Sequence, residues 1–91
     1  MIEVIKIGTE WCGPCKMMKP TVKKLQEKYN VDASDVKITE VDADQEPDTA
    51  IEYSVRSVPT TIFLKDGSVA DRKTGVLSES QITEIITKLK E

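Results

Sequence analysis

The sequence predicts an α/β fold, a minimal four-stranded mixed sheet in the order β-α-β-α-β-β-α with helices on both faces. Three observations lead to this prediction. An apolar, β-branched run at Ile2 to Ile7 precedes a segment whose apolar residues recur at helical spacing. Asp66-Gly67 separates two β-rich runs, and a last amphipathic helix follows a capping signal. With 91 residues, of which 38% are hydrophobic, the chain forms a single domain, 1–91.

The first strand, Ile2 to Ile7, is apolar on both alternating faces, as expected of a central strand covered on two sides. Lys6 is the exception, and Glu40 is the corresponding exception in the second predicted strand, Val36 to Asp42. A parallel pairing of these strands across the first helix would bring the two charges together. The alternative is that one or both lie at a strand end and reach solvent.

The first helix follows the cysteines, and its buried stripe continues past Pro20, which we expect to kink the helix without ending it. The stripe consists of Cys15, Met18, Val22, Leu25 and Tyr29. A polar connection, Asn30 to Asp35, then leads to the second strand.

In the second half, the turn Asp42 to Pro47 leads into a short helix that ends near Ser54. The runs Thr60 to Leu64 and Ser68 to Lys73 flank Asp66-Gly67 and form an antiparallel hairpin. The last helix begins with a capping box, Ser78 to Gln81, and presents the apolar face Ile82, Ile85, Ile86 and Leu89.

The only two cysteines, Cys12 and Cys15, stand two residues apart, directly after the first strand. Such a pair is a structural disulfide, part of a metal site or a redox-active dithiol. A structural bridge here closes a loop too short to join distant segments. For a zinc or iron–sulfur site the pair supplies half of the usual ligands, and the chain has no histidine and no further cysteine, which leaves only a site shared between subunits.

The redox interpretation uses the residues that are present. A pair that follows a strand and opens a helix places the first sulfur near free backbone N–H groups and the positive end of the helix dipole. This environment favours the thiolate of Cys12, and Cys15 is held close to any mixed disulfide formed there. Pro14 suits the first turn of the helix, and Gly13 leaves the backbone beside the sulfur uncrowded.

The composition of the chain indicates which partners it lacks and in which compartment it is expected. The formal net charge is −3 with acidic and basic residues interleaved, so the basic surface of a nucleic-acid-binding protein is missing. The first residues are too short and too charged for a signal peptide, and no apolar run approaches membrane-spanning length. We therefore expect a cytoplasmic protein that binds neither nucleic acid nor membrane, in a compartment where a CxxC pair is more naturally catalytic than structural.

Taken together, these motifs resemble the thioredoxin family over nearly the whole chain. The matching segments are Trp11 to Lys16, Pro20, Asp42 to Pro47, Val55 to Thr60, Phe63 to Gly67 and Gly75. The resemblance implies a thioredoxin-like fold, with Cys12 as nucleophile, Cys15 as buried resolving thiol and Pro59 as a cis-proline beside the disulfide. It also implies a substrate groove lined by Trp11, Gly13, Pro14, Val58, Pro59, Gly75 and Val76.

The sequence departs from the family at three places. Full-length members carry an additional strand and helix before the first strand, so the sequence predicts a smaller, glutaredoxin-sized version. Lys6 aligns with the family's buried acid and Glu40 with its usual lysine partner, so the pair is inverted. We expect Glu40 to take over the transfer of the Cys15 proton, and Lys6 to stabilise the charge of Glu40. Gly8 replaces an aromatic residue, which predicts a more open groove.

The predicted function is thiol–disulfide exchange by a protein disulfide reductase. The expected partners are disulfide-containing proteins and an unidentified electron-donating reductase, and we expect a monomer without a bound cofactor or metal, whose redox group is the reversible Cys12–Cys15 disulfide. Three alternatives remain open at this point. They are a glutaredoxin-like enzyme that uses glutathione, an accessory or binding subunit whose cysteines are dispensable, and a homodimer that bridges a metal or cluster through two cysteine pairs.

Overall fold

Four strands and three helices form the part of the chain that the computed structural model describes, residues 1–31 and 35–91. The strands are β1 (Ile2–Gly8), β2 (Val36–Asp42), β3 (Thr60–Lys65) and β4 (Ser68–Thr74), and the helices are α1 (Gly13–Tyr29), α2 (Pro47–Glu52) and α3 (Glu79–Leu89). The predicted α/β fold and element order are confirmed. The predicted connection from Asn30 to Asp35 contains positions 32–34, which lie outside the described residues.

The sheet has the strand order β2-β1-β3-β4 within the described residues. Strand β1 is parallel to β2 and antiparallel to β3, and β4 is antiparallel to β3. In this register Lys6 lies opposite Glu40 on one side and Thr61 on the other. The parallel pairing predicted to bring Lys6 and Glu40 together is therefore present.

Two apolar clusters, one on each face of the sheet, form the core. On one face α1 and α3 pack against alternate residues of β1, β2 and β3, burying Ile2, Val4, Met18, Val22, Leu25, Val36, Ile38, Phe63, Ile82 and Ile86. On the other face the buried residues are Ile5, Ile7, Val41, Ile62 and Leu64, covered by Ala43, Tyr53 and Val55. Helix α2 itself buries no residue, so the segments that flank it cover this second face.

Local signals in the sequence fix where the elements begin and end. Cys12 caps the N terminus of α1, Pro14 lies in its first turn, and the helix continues through Pro20 to Tyr29. The predicted capping box of α3 is formed, because the Ser78 hydroxyl accepts from the Gln81 backbone N–H while the Gln81 side chain accepts from the Ser78 N–H. None of the helices in the described ranges is long and apolar enough to cross a membrane.

The outer edge of β2 is occupied by a side chain. The amide of Asn30, the C-cap residue of α1, donates from Nδ2 to the Ile38 carbonyl oxygen at 2.8 Å and accepts at Oδ1 from the Ile38 N–H at 2.6 Å. Gln26 Nε2 approaches the same carbonyl oxygen at 3.4 Å. Asn30 thus satisfies both backbone groups of Ile38, as a neighbouring strand would.

Both chain ends lie at one end of the sheet, beside the β3–β4 turn. The backbone N–H of Asp66 donates to the Met1 carbonyl oxygen at 2.9 Å, and Lys65 Nζ lies 3.5 Å from the carbonyl oxygen of Glu91. The opposite end of the sheet contains Gly8, the start of α1 and the start of β3. Both cysteines belong to that opposite end.

Candidate active site

Cys12 lies between β1 and α1, at the N-cap of the helix. Its backbone is extended, with φ −90° and ψ 115°, and its sulfur accepts from the Cys15 backbone N–H at 3.2 Å. The start of the helix therefore presents an N–H group to the first sulfur, as the sequence predicts. This donor and the helix dipole both favour negative charge on Cys12.

Cys15 lies one turn into α1, and its side chain is completely buried. The two cysteines form a disulfide across a Cα–Cα distance of 5.2 Å. Cys12 is 7% exposed, so it is the sulfur that a partner reaches first. This difference in exposure agrees with the roles of nucleophile and buried resolving thiol.

The segment before β3 faces the disulfide. The Val58–Pro59 peptide bond is cis, as the resemblance implies, and the Val58 carbonyl oxygen lies 3.8 Å from Cys12 Sγ. Gly75, which follows β4, has φ +100° and donates its N–H to the Pro59 carbonyl oxygen at 2.8 Å. The structure thus brings Cys12, Cys15, Val58, Pro59 and Gly75 together from three separate parts of the chain.

The other predicted groove residues surround this centre. Gly13 and Pro14 are exposed at the first turn of α1, and Val76 is exposed directly after Gly75. Trp11 is 72% exposed, so it is a surface residue and not part of the core. Exposed apolar side chains therefore stand directly before Cys12 and directly after Gly75 in the chain.

Asp44 is a site residue with no role predicted from the sequence. Its Oδ2 accepts from Trp11 Nε1 at 2.8 Å, and its own N–H donates to Asp42 Oδ1 at 2.8 Å. The acidic turn after β2 thereby holds the indole in place. The available signal was the Asp42-Ala43-Asp44 turn, but nothing in the sequence pairs it with a tryptophan so far away.

Lys6 lies beneath the active-site helix. Its side chain is 3% exposed, and its Nζ donates to the Cys15 carbonyl oxygen at 3.1 Å and to Glu40 Oε2 at 3.0 Å. Glu40, whose side chain is 31% exposed, has a second partner in Lys19 Nζ, 3.8 Å from Oε1. Lys6 makes the contact with Cys15, and Glu40 occupies the solvent side of the pair.

Gly8 is buried and lies beside both Cys15 and Lys6. A Cβ built on Gly8 would lie 2.9 Å from Cys15 Sγ and 3.1 Å from Lys6 Nζ. Its missing side chain therefore leaves space beneath Cys15, whereas a wider substrate groove was expected from the sequence. A cavity of about 210 Å³ adjoins this position, lined by Lys6, Gly8, Thr9, Glu10, Lys19, Glu40, Val41, Asp42, Gln45 and Glu46.

Within the described ranges, no group of three or more Cys, Asp or Glu side chains is arranged to hold a metal ion. The two sulfurs are bonded to each other.

Comparison with known proteins decides the family. The Thioredoxin family model matches residues 2–88. The chain belongs to the thioredoxin family. Thioredoxin from Staphylococcus aureus is 34% identical over 87 residues, which cover 96% of this chain and 81% of that protein. The mitochondrial thioredoxin of Mus musculus is 37% identical over 86 residues, which cover 94% of this chain but only 50% of that relative's length.

Solved thioredoxins have the same fold. A thioredoxin variant from Halobacterium salinarum superimposes with a TM-score of 0.85 at 29% identity, covering 99% of this chain and 75% of that one. As a thioredoxin-family chain, the protein has its cysteine pair at the N terminus of α1 and its cis-proline opposite.

Proposed function

We propose that this protein is a thiol–disulfide oxidoreductase that reduces protein disulfides through Cys12 and Cys15. One observation carries the proposal. The two sulfurs bridge at the N terminus of a helix, and the less buried one faces the cis Val58–Pro59 bond. A thiolate at such a helix end is stabilised, and Cys12 is the more exposed of the two sulfurs, which suits it for nucleophilic attack on a disulfide.

The reaction has two exchange steps. The Cys12 thiolate attacks one sulfur of a substrate disulfide, which forms a mixed disulfide and releases the other substrate sulfur as a thiolate. Cys15 then loses its proton and attacks Cys12 Sγ, so that the Cys12–Cys15 bond forms and the second substrate sulfur leaves. The substrate gains two electrons and two protons, and the dithiol loses them. Proximity makes the second step effectively unimolecular.

The surroundings of the disulfide support a polypeptide substrate. Trp11, next to Cys12 in the chain, and Val76, next to Gly75, are both exposed, and neither belongs to the core. We propose that an extended segment of the substrate lies between them, against Val58, Pro59 and Gly75, with its disulfide over Cys12.

The Lys6–Glu40 pair handles the proton of Cys15 in this proposal. Glu40 is on the solvent side of the pair and lines the cavity beneath the helix, so it accepts the proton and exchanges it with water, while Lys6 holds its charge. Replacing Glu40 by Gln is expected to change the pH dependence of the reductase rate. An identical pH profile would remove Glu40 from the mechanism.

Turnover requires a separate reductant, because the dithiol is consumed in each cycle. We propose that a reductase, or glutathione in its place, returns two electrons to the Cys12–Cys15 disulfide. A reducing compartment such as the cytoplasm suits this cycle, because there the dithiol is the stable form. The protein acts as a monomer in this proposal, since the site is built from a single chain.

The test is reduction of insulin by dithiothreitol, followed with and without the protein. We expect strong acceleration by the native protein and only the dithiothreitol background with Cys12→Ser. Cys15→Ser is the matched control, because it retains the attacking thiol but cannot resolve the product, and it should accumulate a mixed disulfide visible by mass spectrometry. A native protein no faster than dithiothreitol alone would contradict the proposal.

The same assay separates the alternatives. Acceleration that requires glutathione and glutathione reductase would indicate a glutaredoxin-like electron donor. A biological activity that survives serine at both cysteines would indicate an accessory subunit. Metal recovered with a dimer would indicate a bridging site.

A further inference from the structure

Lys6 is a buried cation in direct contact with the helix turn that carries the resolving cysteine. Burial of an ammonium group is costly unless its donors are satisfied. Two partners compensate here, Glu40 Oε2 at 3.0 Å and the carbonyl oxygen of Cys15 itself at 3.1 Å. The second contact directs the ammonium to Cys15 and not only to its carboxylate partner.

Gly8 brings the ammonium near the sulfur. A single point, the position of the absent Gly8 Cβ, lies 2.9 Å from Cys15 Sγ and 3.1 Å from Lys6 Nζ. The sulfur and the ammonium are therefore within about 6 Å of each other, the range over which an opposite charge shifts an ionisation equilibrium. No side chain separates them at that point.

The other charged groups near Cys15 act more weakly. From β2, Glu40 is 31% exposed and is shared with Lys19 of α1, so solvent and a second cation offset its charge. Lys16, next to Cys15 on α1, is exposed. The buried residues at the start of β3 and just before it, Pro59, Thr60 and Thr61, carry no charge. Glu10, Asp42 and Glu46 line the cavity beyond Lys6.

We infer that the Lys6 ammonium stabilises the thiolate of Cys15 and thereby promotes the resolving step. The inference rests on the proposed function, because it assigns a residue to the second exchange. Complete burial disfavours a thiolate at Cys15, and the nearby cation offsets this cost. The Cys15 proton passes to Glu40 or to water, and the thiolate then attacks Cys12 Sγ and expels the substrate thiolate. Lys6 acts through charge and neither gives nor takes a proton.

A consequence follows for the redox equilibrium. At pH values at which Cys15 is ionised in the reduced protein, a group that stabilises its thiolate stabilises the reduced dithiol relative to the disulfide. Removing the charge of Lys6 should therefore lower the reduction potential of the Cys12–Cys15 couple, making the protein a stronger reductant whose mixed disulfides resolve more slowly.

The experiment is a titration of Cys15 in the Cys12→Ser background, followed by the ¹³Cβ chemical shift of Cys15 in reduced protein. Four forms form a double-mutant cycle: the parent, Lys6→Met, Glu40→Gln and the combination. Met matches the length of the lysine stem without its charge. We expect Lys6→Met to raise the pKa of Cys15 by about one pH unit or more, whether or not Glu40 is present. Glu40→Gln should lower the pKa of Cys15, because it leaves the cation unneutralised.

Two outcomes would overturn the inference. One is an unchanged Cys15 titration in Lys6→Met. The other is a rise that disappears in the combined variant, because the effect would then come from an unpaired Glu40 and not from loss of the cation. Because the titration needs no substrate, either result leaves the reductase assay to decide the proposed function, and a failed insulin assay leaves the titration valid.

Gly8→Ala is a second variant that keeps every charge. The new Cβ would collide with Cys15 Sγ and with the flexible end of Lys6, and the lysine end moves more easily than a helix residue. We expect the pKa of Cys15 to rise in the same direction as in Lys6→Met. A folded Gly8→Ala protein with the parent titration would contradict the inference even where Lys6→Met does not fold.

Discussion

The orientation of the single tryptophan depends on one carboxylate. Trp11 is largely exposed, yet its indole N–H is bound to Asp44, which is itself held in a turn by Asp42. A large aromatic side chain fixed in this way offers contact area to a partner without losing further conformational freedom when it binds. We infer that Asp44 prepares one wall of the groove.

Asp44→Ala is expected to weaken substrate binding more than catalysis. An exposed hydrogen bond of this kind contributes about 1 kcal/mol, so KM for insulin should rise roughly two- to tenfold while kcat changes little. Steady-state insulin reduction measures both. Asp44→Asn, which keeps the accepting oxygen, is the control and should stay near the native KM. A KM that does not move in either variant would show that the indole does not need this partner.

The roles of Lys6, Glu40 and Gly8 could be predicted from the sequence to different degrees. Lys6 and Glu40 were predicted to meet, because strand periodicity places both on one face and parallel pairing aligns them. Lys6, and not Glu40, contacts Cys15. This choice depends on side-chain length and on the space left at Gly8, and the periodicity of the sequence carries no information on either. The prediction that Gly8 widens the substrate groove was wrong for the same reason. The absent Cβ of Gly8 points toward Cys15 Sγ and Lys6 Nζ beneath α1 and not into the groove.

At the level of elements, the β3–β4 hairpin shows what the sequence predicts and what it omits. Asp66 and Gly67 both have positive φ, 51° and 87°, as a two-residue turn of this type requires. The irregularity in register between Phe63 and Leu64 was not predicted. It depends on how the two strands twist against the rest of the sheet, whereas the turn depends on two adjacent residues.

Gly67→Ala should destabilise the protein by about 1 kcal/mol, because alanine is strained at φ +87°, even though no described residue beyond its two chain neighbours has an atom within 4 Å of the Cβ position. Gly13→Ala is the matched control, since Gly13 also has free space around it but lies in α1, where alanine is favoured. Urea unfolding of the two variants gives the difference. Equal losses of stability would show that backbone conformation is not the cause. Reductase activity of Gly67→Ala should remain native, because the turn is at the far end of the sheet.

Considered as a whole, the molecule is a sheet with one core on each face and its chemistry at one end. The alternation of apolar residues predicts both cores, and strand order follows from the crossover and the hairpin. The sequence does not show that α2 buries nothing, because its few apolar residues suit either a buried or an exposed helix. Nor does it show that Asn30 covers the edge of β2.

Asn30→Ala should change the association state of the protein. It leaves the Ile38 N–H without its side-chain partner and the Ile38 carbonyl oxygen with only the longer contact from Gln26, on an outer strand where a second molecule can pair with them. Sedimentation velocity over a range of concentrations should detect dimers or larger species in Asn30→Ala. Gln26→Ala, which removes only the longer contact to Ile38, should sediment as the native protein does. A strictly monomeric Asn30→Ala would show that β2 is protected by other means.

The position of the two chain ends has a practical consequence. Met1 and Glu91 both lie beside the β3–β4 turn, a full strand length, about 20 Å, from the end that carries Cys12. A carrier protein, a tether or a solid support joined at either terminus would thus approach from behind the reactive face. The molecule is suited to immobilisation or fusion, with its disulfide still free to meet another protein.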